Sequence, residues 1–219
     1  MKRNVERAII LMSGGVDSST VAAFVKHEGF EAYGLTVNYG QLSKREIQAA
    51  RIVAEFIGVT FDYIDLSSLR NIYNGVTCLV DKKIPVGENF SKEIIVPFRN
   101  GILLSVAVAF ASKINAKVIF YGAHGGDQAN YPDCRGAFME AFNKAARLGT
   151  DLDLTIEAPF ASASKADIIK IGLGLKLPYE LTWSCYLDSE THCGFCESCK
   201  NRKKAFEEAR IPDPTLYIK

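Results

Sequence analysis

The sequence predicts an α/β fold, a doubly wound parallel sheet of about five strands with a small metal-binding segment at its C-terminal end. Three observations carry that prediction. Short apolar runs alternate with stretches of helical period, as in successive βαβ units. A glycine turn, Ser13-Gly14-Gly15, joins the first apolar run to the first helical stretch. Four of the six cysteines crowd into fifteen residues near the C-terminus.

The elements follow in order. Ala8–Met12 reads as the first strand, and the helical pattern after the glycine turn runs from Thr20 to His27. Tyr33–Val37 reads as the second strand. Ile47, Ala50, Val53, Ala54 and Ile57 recur at helical spacing, with Gly58 where a helix stops. Val59–Ile64 reads as the third strand. Residues 67–90 carry turn signals at Asn74-Gly75 and Pro85-Val86-Gly87, and are expected to be a mobile connection. Gly101–Ile114 is a nearly all-apolar helix, expected to be fully buried. Val118–Tyr121 reads as the fourth strand, Phe138–Leu148 as an amphipathic helix and Leu152–Ile156 as the fifth strand. Ser164 with Asp167 three positions on is a capping box for a helix reaching about Leu173. Two units are expected, 1–180 and a zinc-binding segment, 181–219.

A strand that turns through glycines into a helix offers backbone N–H groups and a helix N-terminus to an anion. The spacing fits neither G-x-x-x-x-G-K-[ST] nor G-x-G-x-x-G. It does match SGGxDS, the pyrophosphate loop of ATP pyrophosphatases, which split ATP between the α and β phosphates. In an open parallel sheet, ligands lie beyond the carboxyl ends of the strands, so the loops at Ser13, Asn38, Asp127 and Phe160 gather on one edge.

Cys185, Cys193, Cys196 and Cys199 form C-x7-C-x2-C-x2-C, a spacing that lets four thiolates converge on one structural zinc ion. An iron–sulfur cluster is the sharper rival, but the cysteine-proline step of the ferredoxin run is missing. His192 is expected beside the metal shell or exposed, not as a ligand. Elsewhere the composition excludes more than it suggests. A net charge of +1 gives no polyanion-binding signal, so no nucleic-acid partner is expected. The longest apolar stretch, Ile102–Ala111, is too short to span a bilayer, so no membrane partner is expected. The charged start, Met1–Arg7, runs straight into the first strand, and the expected setting is the cytoplasm.

Several further motifs narrow the reading: Asn38-Tyr39-Gly40-Gln41 with Arg45-Glu46, Val96-Pro97-Phe98-Arg99-Asn100, Tyr131-Pro132-Asp133-Cys134-Arg135, Ser164-Lys165-Ala166-Asp167 and Thr182-Trp183-Ser184-Cys185-Tyr186. Together with the loop and the cysteines they resemble the 7-cyano-7-deazaguanine synthases, from about Ile9 to Phe206. Two departures stand out: Asn38 where an aspartate is common, and Gly125-Gly126 in place of Ala-Glu before Asp127. The resemblance implies an adenine nucleotide alpha-hydrolase-like fold, one structural zinc, ATP as co-substrate with Mg²⁺, and a homodimer. It implies an ATP-dependent C–N ligase that converts 7-carboxy-7-deazaguanine and ammonium to the nitrile through an adenylated acid and an adenylated amide.

Residue roles follow from the same resemblance. Leu11, Met12, Ser13, Gly14, Gly15, Val16, Asp17, Ser18, Ser19, Thr20 and Val21 form the nucleotide-binding stretch. Within it, Asp17 is the candidate ligand for Mg²⁺. Lys165 offsets charge on the α-phosphate. Asp127 and Asp133 are candidates to accept the ring N–H and exocyclic amine of the deazaguanine. Arg99 or Arg135 pairs with its carboxylate, and Tyr131 or Phe98 stacks on the base. Asp17, Lys165, Arg99 and Asp127 are the expected catalytic set. Cys134 has no Cys-His-Asp constellation and is expected to line the pocket or be buried. No glutaminase domain fits within 219 residues already occupied, so free ammonium or a separate partner supplies nitrogen. Two other functions compete: a tRNA sulfurtransferase built on the same loop, and a non-catalytic, zinc-stabilised nucleotide-binding module. The first needs a persulfide cysteine or an iron–sulfur cluster and a basic surface for RNA.

Overall fold

A computed structural model describes residues 5–218; the charged start at residues 1–4 and the final lysine lie outside them. The sheet has five parallel strands in the order β3-β2-β1-β4-β5. They are β1 (Arg7–Leu11), β2 (Glu31–Asn38), β3 (Thr60–Asp65), β4 (Val118–Phe120) and β5 (Thr155–Glu157). All five expected strands are present. The expected fifth strand begins late because Asp151 takes a left-handed φ of 55° to end the preceding helix, and pairing starts only at Thr155.

Side-chain alternation along β1 separates two cores. Ala8, Ile10 and Met12 face a layer made by α1 (Val16–His27), α2 (Arg45–Ile57), α6 (Lys165–Gly174) and α7 (Glu197–Ala209). Ile9 and Leu11 face α4 (Arg99–Ile114) and α5 (Gly136–Thr150). Gly34, opposite Ile10 in the ladder, leaves the space that the Met12 thioether fills. The first helix starts at Val16, directly on the glycine turn and one turn earlier than the apolar period suggested. The Gly58 stop is observed, at φ 69°. So is the capping box: Ser164 Oγ accepts from Asp167 N, and Asp167 reaches back to Ser164.

Two expectations need correcting. Residues 67–90 are not a loose connection. They fold as a short 3₁₀ turn, the one-turn helix α3 (Arg70–Tyr73) and tight turns over a third buried cluster. Tyr73, Cys78, Leu79 and Val80 pack there with Tyr39, Ile94 and Val96, so the segment walls the site below. Nor is α4 fully buried: Ser105, Ala109, Ser112 and Lys113 face outward, because its inner face packs on the sheet and the opposite face is left open. The stretch Lys92–Ile114 is long and apolar enough to match a bilayer by composition, yet its inner face is the centre of the second core.

The C-terminal segment is bound into the body. Ala205, Phe206 and Ala209 of α7 belong to the first core. Arg202 is fully buried, paired with Asp213 at 3.2 Å and donating to Thr182 Oγ1 at 2.7 Å and the Tyr179 carbonyl at 2.9 Å. A buried guanidinium is tolerated because its donors are satisfied.

Candidate active site

The order β3-β2-β1-β4-β5 reverses direction between β1 and β4, and a cavity of ≈ 260 Å³ opens beyond their carboxyl ends. At one end lies the glycine turn. Gly14 adopts φ 76° and is wedged against α2; a Cβ there would sit 2.6 Å from Ala50 N and collide with the Glu46 carbonyl. The Ser13 N–H donates to Ser18 Oγ at 3.1 Å, and the two hydroxyls are also 3.1 Å apart. These bonds hold the loop open with Ser13, Gly15, Asp17 and Ser18 lining the cavity, beside Leu11, Met12 and Val16. Gly122, at the end of β4, lets the neighbouring strand approach Ser18 closely, since a Cβ there would stand 3.0 Å from Ser18 N.

The remaining residues of that stretch stand behind the loop. Thr20 Oγ1 donates to the Val16 carbonyl and contacts the Tyr179 hydroxyl, while Ser19 and Val21 are buried outside the cavity lining.

Lys165, the first residue of α6, places Nζ 3.1 Å from Asp17 Oδ2. Burial opposes its charge, but Asp17 and Asp127 outweigh that and hold the ammonium above the usual lysine range. Asp17 Oδ1 is buried without a partner, an acceptor left over for a cation or donor. Asp127 faces His124, whose Nε2 lies 3.4 Å away; burial pushes the Asp127 carboxyl up, and His124 and Lys165 oppose this.

At the other end, Arg99 at the start of α4 lies over the Tyr39 ring at 5.9 Å. Its Nε is buried and unpartnered. Asp133 lines the cavity, but its Oδ2 accepts the Asn100 N–H at 2.8 Å, capping α4. Tyr131 lines the wall. Cys134 is buried against Asn100 Nδ2, and burial pushes its thiol up to about 12, so it stays protonated as a lining residue.

Two of the expected substrate residues are placed elsewhere. Phe98 is 59% exposed, with φ 56°, and its ring lies over Gly101 and edge-on to Phe138, outside the cavity. Arg135 is exposed and donates through Nε to the Gln128 carbonyl. Arg99 is therefore the arginine among the cavity-lining residues. Glu46 is one of the polar lining residues that sequence reasoning passed over as a site, with Tyr39, Gln41 and Tyr186. An acidic residue in the first turn of a helix has an ordinary explanation, and nothing local marks it out.

Behind the glycine turn, Sγ atoms of Cys185, Cys193, Cys196 and Cys199 all lie within 4.8 Å of one another, and all four residues are buried. Four sulfurs about 2.3 Å from one tetrahedral ion would stand about 3.8 Å apart, so the set fits zinc. Cys193 and Cys199 are 3.9 Å apart, and N–H groups of Leu187, Cys193 and Cys196 point at the sulfurs. His192 is buried outside this set, its Nε2 accepting the Ser184 N–H. Burial and Arg202 push its imidazole down to about 4, keeping it a neutral acceptor. The link to the site is direct: the Trp183 N–H donates to the Gly14 carbonyl at 2.8 Å.

A family model described as queuosine biosynthesis protein QueC matches residues 7–210. The chain belongs to the QueC family. A 7-cyano-7-deazaguanine synthase of Hahella chejuensis is 39% identical across 96% of this chain and 93% of its own length. The corresponding protein of Methanoculleus marisnigri is 39% identical across 97% and 99%. Among solved structures, a 4-thiouridine synthetase–RNA complex with bound ATP superposes at TM-score 0.57 and 16% identity, over 94% of this chain and 50% of that one. The NH3-dependent NAD synthetase of Campylobacter jejuni superposes at 0.53 and 16%, over 80% and 66%. At 16% identity these likenesses show the fold alone: this QueC-family chain shares the open parallel α/β architecture of those two synthetases.

Proposed function

We propose that this chain is an ATP-dependent C–N ligase that makes 7-cyano-7-deazaguanine from 7-carboxy-7-deazaguanine and ammonia. A carboxylate oxygen is too poor a leaving group for ammonia to displace. Attack of that oxygen on the α-phosphorus breaks the bond to the β-phosphate and releases pyrophosphate. Ammonia then adds to the acyl carbon, the C–O bond to AMP breaks, and an amide remains. In a second round the amide oxygen attacks another α-phosphorus. The nitrogen gives up its protons, its electron pair forms the third C–N bond, and AMP departs with the oxygen.

One observation supports this reading above the rest: a single cavity joins the glycine turn and the Asp17–Lys165 pair to Arg99 and the aromatic wall. In it, Ser13, Gly15 and Ser18 cradle the outer phosphates, and Lys165 neutralises charge developing on the α-phosphate. Asp17 would hold Mg²⁺, which screens the departing pyrophosphate when bound. Tyr131 supplies an aromatic face to the base, and Asp127 orients Lys165. The four cysteines would hold zinc, which when bound clamps Thr182–Arg202 beside the glycine turn. A homodimer and a cytoplasmic setting complete the reading, with free ammonium or a partner protein as nitrogen source. Incubation with ATP-Mg²⁺, ammonium and 7-carboxy-7-deazaguanine, followed by mass spectrometry, should yield the nitrile and two AMP per turnover. ADP as the nucleotide product, or AMP without change at the 7-position, would overturn it.

A further inference from the structure

The cavity holds carboxylates with very different commitments. Asp17 is paired with Lys165. Asp127 is turned to His124, also accepting its backbone N–H at 3.3 Å. Asp133 spends one oxygen capping α4. The carboxylate of Glu46, in the first turn of α2, makes no hydrogen bond and no ion pair among the described residues, yet Glu46 lines the same cavity. Its neighbour Arg99 likewise has a buried Nε with no acceptor. An unused acceptor pair and an unused donor lining one cavity, with the charge of Arg99 felt at Glu46, form a half-made recognition surface.

We infer that Glu46 and Arg99 together read the pyrimidine edge of the deazaguanine, Glu46 accepting from N1–H and the 2-amino group and Arg99 donating to O6. This rests on the ligase reading proposed above and deepens it. A guanine-type edge presents acceptor, donor, donor in a row; an arginine and an ionised carboxylate present donor, acceptor, acceptor. Adenine presents a donor beside an acceptor and does not match. With that edge held by Glu46 and Arg99, the 7-carboxylate, on the five-membered ring beside O6, is left free to face Lys165 and the α-phosphate. Asp127 and Asp133 are then relieved of reading the base. Tyr39, whose ring underlies Arg99, fixes the guanidinium. Burial pushes the empty Glu46 up to about 7 against the pull of Arg99, so the paired donors of the ligand supply what the carboxylate lacks.

Calorimetric titration tests this with three ligands: 7-carboxy-7-deazaguanine, its analogue lacking the 2-amino group, and ATP. Wild-type protein should bind the analogue about 10- to 100-fold more weakly than the parent. Glu46→Gln, nearly isosteric, should lose about 10- to 100-fold for the parent and discriminate the two by no more than about twofold, while ATP affinity holds. Unchanged parent affinity in Glu46→Gln overturns the assignment. So does a variant pair in which Glu46→Ala weakens ATP and Glu46→Gln restores it, since Gln mimics the edge that adenine needs. Failure of wild-type protein to bind 7-carboxy-7-deazaguanine at all would sink the ligase reading itself. Circular dichroism and ATP binding establish that each variant is folded.

Discussion

The two ends of the cavity are built in opposite ways. At the end proposed to take phosphate, Ser13, Gly15, Asp17 and Ser18 come from one turn of chain, and their spacing is dictated by backbone geometry. At the end proposed to take the base, Tyr39, Glu46, Arg99 and Tyr131 arrive from four separate segments, and only tertiary packing brings them together. A contiguous site can be written in sequence as a motif; a composite one cannot. The contiguous end is still not self-sufficient, because the Trp183 N–H on the Gly14 carbonyl ties it to the cysteine segment.

The hardest way to break the comparison is to remove that tie. Cys196→Ser deprives a buried tetrahedral set of a thiolate, and structural zinc contributes on the order of 10 kcal/mol to folding in small zinc modules. Zinc content should fall from about one ion per chain toward zero by elemental analysis, with a matching loss of soluble yield. A soluble, zinc-free, fully active variant would mean the phosphate end stands alone. Next in size is Lys165→Ala. Turnover should fall about 10²- to 10³-fold, the scale of losing one electrostatic stabiliser of a transition state. Melting temperature should move by no more than about 4 °C. If activity and melting temperature collapse together, Lys165 is a structural partner of Asp17 and little else.

How much of this was legible in the sequence follows the same division. The five strands, the Gly58 stop and the Ser164 capping box are local signals, and each appears close to where the residues indicated, the fifth strand starting three residues late. The glycine turn and the cysteine spacing are local too. What escaped has no local mark. Residues 67–90 lack any period, yet Cys78, Leu79 and Val80 find a core through short turns. The helix α7 is so rich in charge that its buried stripe of Ala205, Phe206 and Ala209 is hard to see, and a buried Arg202 runs against composition. Phe98 and Arg135 sit within motifs that line the cavity at neighbouring positions; a left-handed backbone accompanies the outward Phe98, and Arg135 is held by the Gln128 carbonyl.

Adjacent glycines sharpen the phosphate end. Gly14→Ala meets both a φ of 76° and a collision with α2, and should cost about 3 kcal/mol, lowering the melting temperature by roughly 6–12 °C. Gly15 has φ −78°, and a Cβ there would meet nothing closer than 3.5 Å. Gly15→Ala should therefore leave melting nearly unchanged and weaken ATP binding, since the methyl enters the cavity. Calorimetric melting and ATP titration on the two variants separate support of the loop from its contact with nucleotide. Equal behaviour would contradict the distinction.

The smallest effect belongs to the base end and has an unusual sign. A carboxyl whose folded value is raised binds more protons in the folded state than in the unfolded one. Stability then falls as pH climbs from the unfolded value near 4.5 through the folded value of about 7. Glu46→Gln removes that penalty. Below pH 4.5 the variant and wild type should melt alike as far as this group is concerned. By pH 8 the variant should be more stable, by on the order of 1 kcal/mol once solvent within the open cavity is allowed for. Melting curves of both proteins across pH 5 to 8 measure the difference directly. A gap that stays flat with pH would show that Glu46 ionises freely, which would remove the strain that a guanine-type edge is proposed to relieve. A gap that widens with pH, alongside weaker ligand binding, would mark Glu46 as a residue kept for recognition at the expense of stability.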